Sequence, residues 1–227
     1  MSSAQGHARP GPCPAGAAGA PPSPIVFDLG GVLLRWQPHD FMPRLLPRVA
    51  LDAASTDALV RAFFEGFEGD WGEFDRGRLD VPELARRIAR RVGLTVDEAR
   101  FVIDAVPDEL TPLAASMDLL HRLHACGHGL FFLSNMPEPY ARILESRHGF
   151  FGLFRGGIYS SRVGAIKPEP AIFELAIRSF GVDPRDTVFI DDMAKNLVAA
   201  RAIGWRGIHF RDAAQCETDL KAYGLSF

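Results

Sequence analysis

Beyond residue 24 the chain alternates short unbroken apolar runs with longer stretches in which apolar residues return every three or four positions. Short runs bounded by glycine, proline or acids suit strands buried on both faces, and the longer stretches suit amphipathic helices. Five strands are predicted: "IVF" at 25–27, "GLFFL" at 129–133, "GIY" at 157–159, "TVFI" at 187–190 and "GIHF" at 207–210. Helical segments separate the later ones. "PLAASMDLLHRLHACG", from Pro112 to Gly127, and "PAIFELAIRSFG", from Pro170 to Gly181, open on proline and close on glycine, as helix termini prefer; "AKNLVAARAIG" likewise ends on Gly204. The alternation predicts an α/β fold, a three-layer Rossmann-like core with a parallel sheet.

The first strand interrupts this order, because no strand pattern follows it through residues 37–111. That segment is read as an inserted α-helical cap domain, with the core assembled from 25–36 and 112–227. Leu59 and Phe63 lie one turn apart, and Leu84, Ile88 and Val92 recur every four residues, so the cap helices share an apolar face. Arg86, Arg87, Arg90 and Arg91 then form the solvated side of a cap helix. Between the helices, "EGFEGDWGEFDRGRLD" at 65–80 is so broken by glycine and so acidic that it reads as an exposed loop. Residues 1–24, dense in proline and glycine without a continuous apolar segment, read as a disordered N-terminal tail and not as a signal peptide.

Composition narrows the function classes. With 227 residues, 47% hydrophobic, the chain can bury a full domain core, and a net charge of −3 with both signs interspersed gives no footprint for nucleic acid or an anionic membrane. No apolar stretch approaches the roughly 20 residues of a membrane span. Cys13, Cys126 and Cys216 are far apart and lack CxxC pairing, which fits reduced thiols in a cytoplasmic protein. Either a monomer or a homodimer is compatible with these features.

Ligands of an open parallel sheet bind beyond the carboxyl ends of its strands, so the residues there carry the chemistry. They are Asp28 with Gly30 and Gly31 after the first strand, Ser134 and Asn135 after the second, Lys167 and Pro168 in the loop after the third, and Asp191 and Asp192 after the fourth. Taken singly, Asp28 before Gly-Gly is a turn residue, Ser134-Asn135 a helix cap and Lys167 a solvated lysine. Adjacent carboxylates such as Asp191 and Asp192 after a buried strand repel each other unless a cation or a helix N-terminus compensates. A carboxylate, a hydroxyl and amide, an ammonium and an acid pair in that order form a phosphoryl-transfer site.

In this order "FDLGGVLL", "LFFLSN", "IKPEP" and "VFIDDMAKN" resemble the four motifs of the haloacid dehalogenase superfamily, over nearly everything from Ile25 to Phe210. The pattern is most similar to the helical-cap bacterial phosphatases, a group that includes an enzyme acting on α-glucose 1-phosphate. The resemblance implies that Asp28 attacks phosphorus and forms an aspartyl phosphate. It also implies Mg²⁺ held by Asp28, Asp192 and the Gly30 carbonyl, with Asp191 acting through water and Asn196 orienting the acids. Lys167 would supply charge and hold Asp28 ionised, while Ser134 and the Asn135 amide would donate to the phosphoryl group. The expected substrate is a small phosphorylated metabolite such as a sugar phosphate, with Trp71 and Phe74 of the cap as specificity residues.

One position departs from the family pattern. Most of its phosphatases carry an acid–base Asp two residues after the nucleophile, where this chain has Gly30. Either a cap carboxyl replaces it, with Glu65, Glu68, Asp70, Glu73 and Asp75 as candidates, or the substrates have good leaving groups. Two other readings stay open: a 2-haloacid dehalogenase, and a non-catalytic relative binding a phosphometabolite or a protein.

Overall fold

In the computed structural model, which describes residues 23–65 and 69–227, five strands form one parallel sheet in the order β3-β2-β1-β4-β5. The expected tail falls almost wholly outside the described residues. In chain order, β1 (Pro24–Phe27) leads into α1 (Pro38–Leu45), α2 (Ala53–Phe64), α3 (Gly69–Asp75), α4 (Val81–Val92) and α5 (Val96–Glu109). The core resumes with α6 (Ala114–Ala125), β2 (Gly129–Ser134), α7 (Glu138–Arg147), β3 (Gly156–Tyr159) and the short α8 (Ser160–Val163). It closes with α9 (Pro170–Phe180), β4 (Val188–Asp191), α10 (Ala194–Ala202), β5 (Arg206–His209) and α11 (Ala213–Ala222).

Both sheet faces are buried, which is why the strands read as unbroken apolar runs. Alternate residues serve opposite layers. Ile25 and Phe27 of β1, with Leu130 and Phe132 of β2, face a core shared with α6, α7, α11 and the cap helices. Val26, Phe131, Leu133 and Phe189 face a second core closed by Ile172 and Phe173 of α9 and by Leu197 of α10. These are the three layers expected from the sequence.

The cap helices are locally specified at their ends. At α2, Ser55 N donates to Asp52 Oδ1 at 2.8 Å while Asp52 N donates to Ser55 Oγ at 2.9 Å; Thr95 and Glu98 form the same reciprocal box at α5. Asp80 caps α4 through Glu83 N at 2.8 Å, and Gly93 ends that helix with φ +73°.

Two expectations are corrected. Residues 69–75 are helix, not exposed loop, and Trp71 and Phe74 are buried at 3% and 1% exposure. Their spacing of three puts both rings on one face of α3, and burying that face outweighs the helix-weakening effect of Gly72. Cys216 is a buried free thiol, but Cys126 is disulfide-bonded, contrary to the expectation of reduced thiols; spacing along the chain does not report distance in space. Cys13 lies outside the described residues. Among the described residues no helix is long and apolar enough to cross a membrane.

Candidate active site

Parallel strands end together at one edge of a sheet, so groups placed just after each apolar run converge there whatever their separation in sequence. Asp28 follows β1, Ser134 ends β2, Lys167 lies in the loop between β3 and α9, and Asp191 ends β4 with Asp192 beside it. Lys167 Nζ sits 2.9 Å from Asp28 Oδ1 and 2.7 Å from Asp191 Oδ2, with its own side chain 1% exposed. A buried ammonium is stable in this place because two carboxylates flank it. Burial alone would lower its pKa, but Asp191 and Asp28 outweigh burial and the net shift is upward, so Lys167 carries a fixed positive charge.

Asp191 holds that charge in place. Its carboxylate accepts from Lys167 Nζ, from Met193 N at 2.7 Å and from Asn196 Nδ2, which lies 3.0 Å from each of its oxygens. These contacts occupy the lone pairs of both oxygens, so the fully buried Asp191 is committed to holding Lys167 and the turn after β4. Asn135 locks the lysine from the other side: Lys167 N donates to Asn135 Oδ1 at 2.8 Å, and Asn135 Nδ2 donates back to Lys167 O at 3.0 Å. Ser134 is 1% exposed and lines the cavity, and its hydroxyl has no hydrogen-bond partner among the described residues.

Burial pushes the Asp28 carboxyl up to about 7; Lys167 opposes that rise, and Asp191 and Asp192 add to it. The expectation that Lys167 holds Asp28 ionised by depressing its pKa is corrected: Lys167 does lower it, but desolvation is the larger effect and the net shift is upward. Burial, with Asp191, likewise raises Asp192 to about 6. Asp28 and Asp192 stay raised in this way until a cation offsets the carboxylate charge around them.

Carboxylate oxygens of Asp28, Asp191 and Asp192 lie within 4.8 Å of one another, a cluster of hard oxygen donors that fits Mg²⁺. The backbone leaves room for it at Gly31, whose φ is +77° and where an added Cβ would fall 2.5 Å from Asp192 Oδ2. Gly31→Ala is therefore expected to cost about 1–2 kcal/mol through the left-handed backbone and the displaced carboxylate. Thermal denaturation with and without MgCl₂ checks this: Tm falls, and the rise on adding Mg²⁺ shrinks. An unchanged Mg²⁺ response would show that Asp192 is not part of the cation site.

The cap supplies the rest of the cavity, which encloses about 720 Å³ counting its open mouth. Trp71 lines it, but Phe74 does not: that ring packs edge-to-face behind, 5.7 Å from Trp71 and 5.6 Å from Tyr140, between cap and core. Of the candidate cap acids, Glu65 pairs with Arg91, Asp70 with Arg87 and Arg91, and Glu73 with Arg76 and Arg78. Glu68 lies outside the described residues. Asp75 alone among the described four lines the cavity beside Asp28, 2% exposed, and its carboxylate has no hydrogen bond or ion pair among the described residues. Burial pushes its pKa well above the carboxylate range, and the Asp28 charge raises it further.

Asp75 is held by direct links between cap and core. Ser160 Oγ donates to Asp75 O at 2.5 Å and accepts from Met136 N at 2.9 Å, so one buried hydroxyl joins the end of α3 to the loop after β2. Arg76 makes a two-pronged ion pair with Glu169, at 2.7 and 2.5 Å, and Glu169 also accepts from Ile166 N next to Lys167. Composition and spacing could not show this; the only sequence sign was an acid within an aromatic segment. Val106, Leu110, Met136, Tyr140 and Lys195 also line the cavity and were not anticipated.

Comparison with known proteins agrees with this arrangement. The sesquiterpene phosphatase astK of Aspergillus oryzae is 26% identical over 196 residues, covering 86% of this chain and 93% of that protein. A HAD family enzyme of Bacteroides thetaiotaomicron, solved with magnesium and inorganic phosphate, has a TM-score of 0.66 at 21% identity, over 84% of this chain and 95% of its own. L-2-haloacid dehalogenase of Xanthobacter autotrophicus shares the fold at a TM-score of 0.63 and 18% identity, over 88% and 82%. The family model for haloacid dehalogenase-like hydrolases matches residues 25–204, and the chain belongs to that family.

Proposed function

We propose that this protein is a Mg²⁺-dependent phosphatase that hydrolyses a small phosphorylated metabolite through an aspartyl phosphate on Asp28. The observation that carries the reading is the convergence of Asp28, Lys167 and Asp192 at one cavity wall, with the buried Asp191 paired to Lys167 behind it. A dehalogenase needs the nucleophile and the lysine, which Asp191 already holds in place; Asp192, a second, partly buried acid beside them, is the carboxylate that a cation accounts for.

Asp28 would attack phosphorus through one carboxylate oxygen, forming the acyl phosphate as the ester P–O bond breaks. Asp75, kept protonated by burial, would give its proton to the departing alcohol oxygen. It would then take a proton from the water that attacks phosphorus and releases phosphate, restoring both acids. Lys167 would balance the charge on the phosphoryl oxygens, and the Ser134 hydroxyl would donate to one of them. Mg²⁺, held by Asp28, Asp192 and the Gly30 carbonyl, would supply further positive charge at those oxygens. Asp75 thus takes the task that Gly30 leaves unfilled.

The test is hydrolysis of p-nitrophenyl phosphate with MgCl₂ and with EDTA. Phosphate release that depends on Mg²⁺ supports the proposal. Chloride release from chloroacetate in EDTA, without phosphatase activity, would replace it with the dehalogenase reading.

A further inference from the structure

We infer that the leaving group accepted by this site is apolar, a hydrocarbon or aromatic alcohol, and not a polyol; the inference rests on the phosphatase reading and goes beyond it. The cavity is chemically divided. Its charged and hydrogen-bonding groups gather at the strand ends, around Asp28, Ser134, Asn135, Lys167 and Asp192, with Lys195 and Asn196 at the start of α10. Away from them the wall is built from Trp71 of α3, Val106 and Leu110 around the end of α5, and Met136 and Tyr140 on the core side.

Tyr140 and Trp71 are the polar-tipped residues of that wall, and the Tyr140 hydroxyl already donates to Ile103 O at 2.6 Å. The Tyr140 ring therefore faces the cavity as an apolar surface. Phe64 and Phe74 support Trp71 from behind, at 4.6 and 5.7 Å between ring centroids, so the wall cannot easily rearrange to present other groups. Asp75 is the acid on the cap side, and the chemistry uses it.

A sugar ring placed here would set several hydroxyls against indole, isopropyl, isobutyl and thioether surface. Each hydroxyl left without a partner weakens binding by about tenfold. A hydrocarbon ring of the same size loses nothing and gains the burial of its own surface. This differs from the sugar phosphate expected on resemblance: the motifs encode the phosphoryl end, and the cap encodes the leaving group.

Cyclohexylmethyl phosphate and glucose 6-phosphate provide the test, because both place phosphate on a primary carbon attached to a six-membered ring. Leaving-group chemistry is then matched and ring polarity differs. With MgCl₂, kcat/KM for the cyclohexylmethyl ester is expected to exceed that for glucose 6-phosphate by about 10²-fold or more. Leu110→Gln, which puts an amide into the wall, is expected to narrow the ratio by about tenfold, mainly through KM for the apolar ester.

Equal or better turnover of glucose 6-phosphate, with Mg²⁺-dependent hydrolysis of p-nitrophenyl phosphate intact, would overturn the apolar assignment and leave the phosphatase reading standing. Absence of turnover on all three esters would overturn both.

Discussion

Asp28→Asn is expected to lose on the order of 10⁴-fold or more in kcat/KM on every phosphate monoester, while the protein stays folded and still binds inorganic phosphate. The substitution removes the attacking oxygen but keeps the shape of a side chain that is 8% exposed and whose Oδ1 accepts from Leu29 N at 2.7 Å. Lys167 keeps Asp191, 2.7 Å away, as its partner, so no buried charge is stranded. The check has two parts: steady-state hydrolysis of p-nitrophenyl phosphate, and the mass of acid-quenched protein, which should carry a phosphoryl group in the wild type and none in the variant. A variant that retains a tenth of the activity would exclude Asp28 as the nucleophile.

The second large effect belongs to Asp75. With an alkyl phosphate, Asp75→Asn is expected to lose about 10²- to 10⁴-fold in kcat/KM, the usual worth of general acid catalysis. p-Nitrophenolate leaves without needing a proton, so the first step on p-nitrophenyl phosphate should survive. Hydrolysis of the acyl phosphate still needs a base. Stopped-flow mixing should therefore show a nitrophenolate burst stoichiometric with enzyme, followed by slow turnover. Equal loss on both substrates without a burst would mean that Asp75 shapes the cavity and takes no part in proton transfer.

Gly30→Asp in the Asp75→Asn background sharpens the test. A Cβ built on Gly30 has its nearest neighbour at 4.0 Å, the Cβ of Trp36, so the position has space for a side chain. Glycine there is not a steric requirement, in contrast to Gly31. An acid restored at Gly30 is expected to recover part of the alkyl phosphatase activity, which a purely structural role for Asp75 would not allow.

Asp75 also gives a pH signature in stability. Its pKa is raised in the folded state, so the folded protein keeps a proton that the unfolded chain releases above about pH 4. The stability tied to that proton is complete below the unfolded value and is lost as pH rises toward the folded one. Asparagine carries no such dependence. The Tm of Asp75→Asn, measured in EDTA, should thus match that of the wild type near pH 4 and exceed it increasingly up to pH 8.

The strand ends show how much was legible before folding. Each residue proposed to handle the phosphoryl group directly follows an apolar run or lies in the loop after one, and parallel strand geometry alone brings such residues together. Asp28, Ser134, Lys167 and Asp192 could therefore be placed from local pattern, and the reciprocal caps at Asp52 and Thr95 show why the cap helices begin where they do. The 65–80 segment shows the opposite. Its glycines and acids are locally those of a loop, and residues 69–75 become helix because Trp71 meets Phe64 of the cap and Phe74 meets Tyr140 of the core.

The same division runs through the site. The amino-acid order alone was enough to place the α/β core, the inserted helical cap and the strand-end group of Asp28, Lys167, Asp191 and Asp192, because these depend on periodicity and on position relative to strand ends. Which of the acidic cap residues meets Asp28, and what wall the leaving group meets, was decided by tertiary structure. Those depend on contacts between segments far apart in the chain, such as Ser160 with Asp75 and Arg76 with Glu169, and no local pattern encodes the rotation of α3 that turns Asp75 inward while arginines engage its neighbours.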